Sequence, residues 1–373
     1  MLEFLKVRQS KGRIHKEDIR INDFQYDVSK VIYSSNFRKL EYKTQVFFNN
    51  ADDYYRTRLT HTLEVAQVAK TISSILGLNQ DLAEVISLMH DMGHTPFGHS
   101  GEDGLNEVLE KYNFPKFSHN VQSVRIVDFL SKRYNDFDGL NLTFESMDGL
   151  IKHNGAILDN QNEYLDDVSQ RHGIDLTKEP SLEAQISSIS DDIAYINHDL
   201  EDGYRSGLVD FDDLIELPIV GDFVKKEYDS RPKDSKKMIL YEAINNSIQF
   251  MIRDVVENIR SKIEEYKIQS LDDFYAVNKN IANFSDDVLK KRMILKEIVF
   301  KNLYKNADLS IEAFKMKNVV KDLFEFFLEN HNCLPDDWRE RVERSTKKHV
   351  VICDFISGMT DRYALHLHNR IFH

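Results

Sequence analysis

Residues 59–93 read LTHTLEVAQVAKTISSILGLNQDLAEVISLMHDMG, and their pattern decides the fold. Between Leu59 and Leu76 the apolar residues Val65, Val68, Ala69, Ile72, Ile75 and Leu76 recur at the spacing of one helix face. Gly77 stands where a left-handed residue closes such a helix. A second stripe, Leu82, Val85, Ile86 and Met89, follows Asn79-Gln80-Asp81 and stops where Gly93 and Pro96 break it, so a loop is expected from Gly93 to Gly101.

Outward from this pair the same period recurs at Leu182, Ile186, Ile189, Ile193, Ile196 and Leu200, and across residues 238–263, 288–303, 319–328 and 350–365. Strand-like alternation is scarce. Only 14 Gly and 6 Pro punctuate 373 residues, which favours long helices over a turn-rich β fold. The class read from these features is all-α, and 41% hydrophobic residues suffice for a real core. Polar stretches at 159–180 and 228–237 are expected as surface loops. The expected organisation is an N-terminal segment at 1–33, a helical core at 34–210, and additional C-terminal helices at 211–373 packed on the core as one unit.

Lys+Arg 49 against Asp+Glu 62 leaves a net charge of −13, which repels phosphate backbones and argues against broad nucleic-acid binding. The two cysteines, Cys333 and Cys353, form neither a disulfide framework nor a zinc-ribbon spacing, which suits a reducing compartment. No window approaches the roughly 20 consecutive apolar residues of a membrane span. The expected location is cytoplasmic, with no membrane partner.

Five of the 14 histidines, His61, His90, His94, His99 and His119, crowd into one short stretch beside Asp91. His61 shares a helix face with Val65, Val68 and Ile72, so its imidazole points inward. His90 follows Ile86 by one turn and leans the same way, with Asp91 at the helix end. A carboxylate buried beside two imidazoles needs positive charge, and a divalent metal supplies it with ligands of suitable type. A lone inward histidine is usually a hydrogen-bonded core residue, and a His-Asp dipeptide is weak by itself, so the whole set carries the argument.

A fourth ligand is sought on the segment bearing Asp191, Tyr195 and Asp199, one turn apart and opposite the Ile189/Ile193 stripe. By itself that face reads as an ordinary solvated acidic surface. Residues 90–102, HDMGHTPFGHSGE, add glycines that let backbone approach a ligand. There His99 and Glu102 offer an imidazole and a carboxylate for proton transfer.

His61, the His90-Asp91 pair and Asp191 follow the H…HD…D order of the HD-domain phosphohydrolases. The run HDMGHTPFGHSGE resembles the deoxyguanosine triphosphate triphosphohydrolase branch of that superfamily. Residues 37–47 (FRKLEYKTQVF), 56–65 (RTRLTHTLEV), 117–126 (FSHNVQSVRI), 191–195 (DDIAY) and 358–365 (GMTDRYAL) are similar to that family's segments, in its order.

The resemblance implies an HD-domain helical bundle that hydrolyses a deoxynucleoside triphosphate, dGTP and other dNTPs, to deoxynucleoside and inorganic triphosphate. It implies one divalent ion, Mn²⁺, Mg²⁺, Fe²⁺ or similar, on His61, His90, Asp91 and Asp191, with His99, Glu102 and His94 serving the chemistry. By position, Gln45 and Asp199 match contacts to the sugar 3′-hydroxyl, Tyr195 packs beside the deoxyribose, Arg58 touches the phosphates, and His119 is a phosphate-side histidine. Homo-oligomers and a nucleotide effector are features of the same family. In the related human deoxynucleotide hydrolase a carboxylate follows the matching histidine, where this chain has Asn120, which argues against a second metal.

The chemistry stands without the family. A divalent ion polarises a phosphoryl oxygen and lowers the pKa of water, so that hydroxide attacks the α-phosphorus in line. His99 is the best placed donor for the departing alkoxide. An HD phosphohydrolase for another nucleotide would share the metal ligands but need not carry Gln45, Tyr195 and Asp199. A catalytically silent nucleotide-binding regulator would have lost a ligand or the His99/Glu102 pair, and none is missing.

Overall fold

The stripe ending at Leu76 forms one long helix, Arg58–Leu76, and Gly77 closes it at φ 79°. Val65, Ala69, Ile72 and Leu76 are buried, whereas Ile75, counted with the stripe, is 41% exposed. At 100° per residue Ile75 falls beside Leu76 at the edge of the buried face, and the edge looks outward. Asn79 starts the next helix, Gln80–Met89, by accepting the Leu82 amide at 3.1 Å.

The computed structural model describes residues 2–7, 10–18, 21–47, 54–159, 162–299 and 306–373. Among the described residues every named element is helical; none forms a strand, and one isolated bridge joins Thr44 to Thr57. The protein is all-α. No helix among the described residues is long and apolar enough to cross a membrane.

Two compact units divide the chain, and residues 211–373 contribute to both. The first comprises Met1–Ser29, His61–Leu88 and Leu142–Asn306. Its centre is the helix Leu182–Arg205, which packs against Lys236–Glu265, Asp286–Val299 and Phe144–Ile151. Ile186, Ile189 and Ile193 meet Ile72, Leu76, Val255 and Ile259 in one apolar cluster. Each such side chain contributes about 1.5–3 kcal/mol when fully buried.

The second unit comprises Lys30–Thr60, Met89–Asn141 and Ala307–His373. Here the helix Gly98–Lys111 lies along Ala307–Glu329, which also packs on Lys348–Ser357 and Asp361–Phe372. Leu105, Val108 and Leu109 interlock with Val320, Leu323, Phe324 and Ile356.

Several local expectations change. The polar stretch 159–180 holds a helix, Glu163–His172, capped by Asn162 and closed by Gly173 at φ 65°. Its two buried apolar residues, Leu165 and Val168, one turn apart, were too few to show against so many polar neighbours. Of the stretch 228–237, residues 231–235 form the expected loop, between Val220–Ser230 on one side and Lys236–Glu265, capped by Ser235, on the other. The stripe at 350–365 is two helices parted by Gly358-Met359-Thr360, with Thr360 capping the second. That at 288–303 is helical to Val299, and 300–303 lie outside the described residues.

Candidate functional site

In the first unit His61 is buried, one turn before Val65, as its place on the stripe predicts. Its Nε2 lies 3.0 Å from Asp191 Oδ1 on the Leu182–Arg205 helix. Its Nδ1 lies 3.3 Å from His198 Nδ1, and His198 Nε2 pairs in turn with Glu64 Oε2. Asp191 and Tyr195 are half-buried and Asp199 is buried, so the face read as a solvated acidic surface is drawn inward. Asp192, next in sequence, turns away to pair with Arg292.

In the second unit the turn after Met89 presents His90 and Asp91, both buried. Asp91 Oδ2 accepts a 2.8 Å hydrogen bond from Arg58 Nη1, and its Oδ1 lies 3.1 Å from His94 Nδ1 and 3.4 Å from His90 Nε2. Burial alone would raise the Asp91 pKa; the positive charges of His90, His94 and Arg58 outweigh it and hold the carboxyl well below the usual range. Arg58, expected at the phosphates, has its guanidinium anchored on Asp91 and is only 2% exposed.

The turn is held from outside. Ser123 Oγ donates to the His90 carbonyl and accepts the Gly93 amide, both at 2.8 Å. A Cβ on Gly93 would stand 2.1 Å from the His119 carbonyl oxygen and 2.3 Å from the Ser123 nitrogen, so this approach requires glycine. Phe97 adopts the left-handed conformation at φ 64° and donates its amide to Asp361 Oδ1 at 2.8 Å. Asp361 Oδ2 takes the Thr44 amide. Lys43, fully buried, donates to the carbonyls of His94 and Ser357. Its pKa is pushed down to about 7 by burial first and then by Lys39.

The loop expected to reach Gly101 ends at Phe97, because the helix Gly98–Lys111 begins there and carries His99 and Glu102 in its first turns. His94 stacks on His119 with ring centroids 3.9 Å apart and meets His99 edge-on at 5.4 Å. One ligand atom from each of His94, His99 and Glu102 lies within 4.8 Å of the others. The Glu102 carboxylate bonds to His119 rather than to His99, through Nδ1 at 2.7 Å and the backbone amide at 3.1 Å. That pairing outweighs the burial that would raise the Glu102 pKa and holds it low.

Burial, then the charge of Arg58, keeps His94 well below the ordinary imidazole range. His99 is exposed to solvent, yet the protein packed around its ring, with the charges of Arg58 and His119, lowers its pKa too. Gln45 buries its Oε1 with no hydrogen-bond partner among the described residues, an acceptor awaiting a donor.

Of the four expected ligands, His61 and Asp191 belong to the first unit, and His90 and Asp91 to the second. Imidazole nitrogen beside carboxylate oxygen is a donor set that Mn²⁺, Fe²⁺ and related ions accept, so the residues present fit a divalent ion. Sequence reading missed His198, Glu64, Lys43, Ser123 and Asp361. His198 was within reach of it, because it follows Asp191 by two helical turns. The others act through contacts that no sequence period encodes.

Comparison with known proteins agrees with the geometry. Residues 58–196 match the HD domain, and residues 282–370 a phosphohydrolase-associated domain. The chain is 43% identical over 369 residues to a deoxyguanosinetriphosphate triphosphohydrolase-like protein of Neorickettsia sennetsu, covering 98% of this chain and 95% of the relative. Proteins of the same description from Cereibacter sphaeroides and Rickettsia rickettsii are 40% and 38% identical, over 97% of this chain and 97% and 95% of theirs. With 37–43% identity to such relatives and near full-length coverage on both sides, the chain belongs to the deoxyguanosinetriphosphate triphosphohydrolase-like family of HD-domain phosphohydrolases.

Proposed function

We propose that this protein hydrolyses a deoxynucleoside triphosphate, dGTP and other dNTPs, to the deoxynucleoside and inorganic triphosphate. The reading is supported most by the His94, His99, Glu102 and His119 group, a set of titratable side chains in mutual reach that follows the His90-Asp91 pair directly. On the family's H…HD…D pattern, His61, His90, Asp91 and Asp191 hold one divalent ion. When bound, such an ion polarises a phosphoryl oxygen and lowers the pKa of water.

The protein's own groups do the rest. His99 exchanges a proton with the substrate at the scissile 5′-oxygen side. The Glu102–His119 pair holds compensating charge next to it. Arg58, fixed by Asp91, faces the phosphates, and Gln45 and Asp199 take the 3′-hydroxyl while Tyr195 crowds the 2′ position. Homo-oligomer formation and regulation by a nucleotide effector belong to the same proposal.

The test is to incubate the purified protein with each of the four dNTPs, singly and mixed, with Mn²⁺ and to resolve the products. Deoxynucleoside and triphosphate in equal amounts are expected. Release of orthophosphate or pyrophosphate, or of a nucleoside monophosphate, overturns the reading.

A further inference from the structure

His61, the first expected ligand, sits inside a chain of polar contacts contained in the first unit. Glu64 follows it by three residues on the Arg58–Leu76 helix, and His198 follows Asp191 by seven on the Leu182–Arg205 helix. Residues three apart, or seven apart, share a helix face. Asp191 and His198 therefore flank His61 from one side, and Glu64 reaches His198 from the other. The contacts run Glu64 Oε2 to His198 Nε2, His198 Nδ1 to His61 Nδ1 at 3.3 Å, and His61 Nε2 to Asp191 Oδ1 at 3.0 Å.

For neutral imidazoles, the state in which a histidine ligates a metal, the order of these atoms fixes where the protons lie. A carboxylate only accepts, so His198 carries its proton on Nε2, facing Glu64. With both rings neutral, each has one N–H and one lone pair, so His198 Nδ1 accepts and His61 donates from its own Nδ1. The lone pair of His61 is then on Nε2, turned toward an oxygen of Asp191. Both rings are buried, which limits water as a substitute partner.

We propose that His198 and Glu64 are positioning residues that lock His61 into the Nδ1–H tautomer and aim its Nε2 lone pair at the divalent ion. This rests on the metal role proposed above for His61. Outer partners of this kind orient a ligating histidine and raise its basicity, and losing one typically weakens metal binding about 10- to 100-fold.

Mn²⁺ binding, measured from the electron paramagnetic resonance signal of the free ion, tests the proposal alongside thermal unfolding. His198→Ala is expected to raise the Mn²⁺ dissociation constant about 10- to 100-fold. His198→Gln is expected to stay near wild type, because its amide oxygen accepts from His61 and its amide nitrogen donates to Glu64. Glu64, with a side chain 43% exposed, can be cut without opening a cavity. Glu64→Ala therefore reads the same chain should His198→Ala unfold, and its expected signature is weaker Mn²⁺ binding at an unchanged melting temperature.

Long-range proton–nitrogen correlation on ¹⁵N-histidine protein saturated with Mg²⁺ reads the tautomer directly, with His61 assigned from a His61→Gln variant. Nδ1–H on His61 is expected, and Nε2–H overturns the proposal. So does wild-type Mn²⁺ affinity in both His198→Ala and Glu64→Ala, or an equal loss in His198→Ala and His198→Gln. A wild-type protein that binds Mn²⁺ but releases no triphosphate refutes the hydrolytic reading alone. One that binds no Mn²⁺ refutes both.

Discussion

Arg58→Ala removes the charge that faces a buried carboxylate of the second unit, Asp91. The guanidinium is 2% exposed and donates to Asp91 Oδ2 at 2.8 Å, so neither partner of the pair has water to fall back on. Truncating one member of a buried ion pair costs about 3–5 kcal/mol, most of it the penalty for the charge left behind. For a protein of this size that is a melting temperature lower by about 5 °C. The loss depends on pH in a defined direction. Burial holds the His94 pKa down and the Arg58 charge holds it down further, so the variant's His94 titrates higher and can supply Asp91 with a proton-borne charge as pH falls. The variant's deficit relative to wild type therefore narrows as pH falls. Adding Asp91→Asn removes the stranded charge, and the double variant is expected to melt above Arg58→Ala. Calorimetry of wild type, both single variants and the double variant at pH 6 and 8, all with EDTA to keep metal out, measures each term. A single variant within about 1 kcal/mol of wild type, or a double variant no more stable than Arg58→Ala, refutes this account of the pair.

Asp91→Ala is expected to lose bound metal when purified from Mn²⁺-containing medium, and elemental analysis showing wild-type content removes Asp91 from the ligand set. His99→Ala should release triphosphate about 100- to 10,000-fold more slowly with metal content and dGTP affinity unchanged; near-normal turnover at full metal occupancy would end its catalytic role. GTP should be a far poorer substrate than dGTP because Tyr195 crowds the 2′ position, and equal kcat/KM values for the two would remove that assignment. Glu183 accepts the Val7 and Asn79 amides from a fully buried position, and burial pushes its pKa up to about 7. The folded protein holds this proton more tightly than the unfolded chain does. Stability is thus fullest below about pH 4.5 and declines by on the order of 3 kcal/mol as pH rises to about 7. Glu183→Gln should lack that decline, so a wild-type-minus-variant stability that stays flat from pH 4.5 to 7 in urea titrations contradicts it.

The helices that carry the site were legible because each buries one face, and burial imposes a period on the sequence. His61 at one turn from Val65 and His90 at one turn from Ile86 could be placed inward from that period alone. The HD order and the run at residues 90–102 then pointed to a phosphohydrolase, since such chemistry demands particular residue types. Period says nothing about which side chains meet across elements. That Glu102 bonds to His119 rather than to His99 follows from where the turn at 112–118 sets down the helix His119–Arg125. That Arg58 is taken by Asp91, or that Lys43 and Asp361 hold the backbone at His94 and Phe97 from residues far along the chain, is decided the same way. A hydrogen bond depends on ångström distances between atoms brought together by packing, and a linear sequence records residue type and spacing but not those distances.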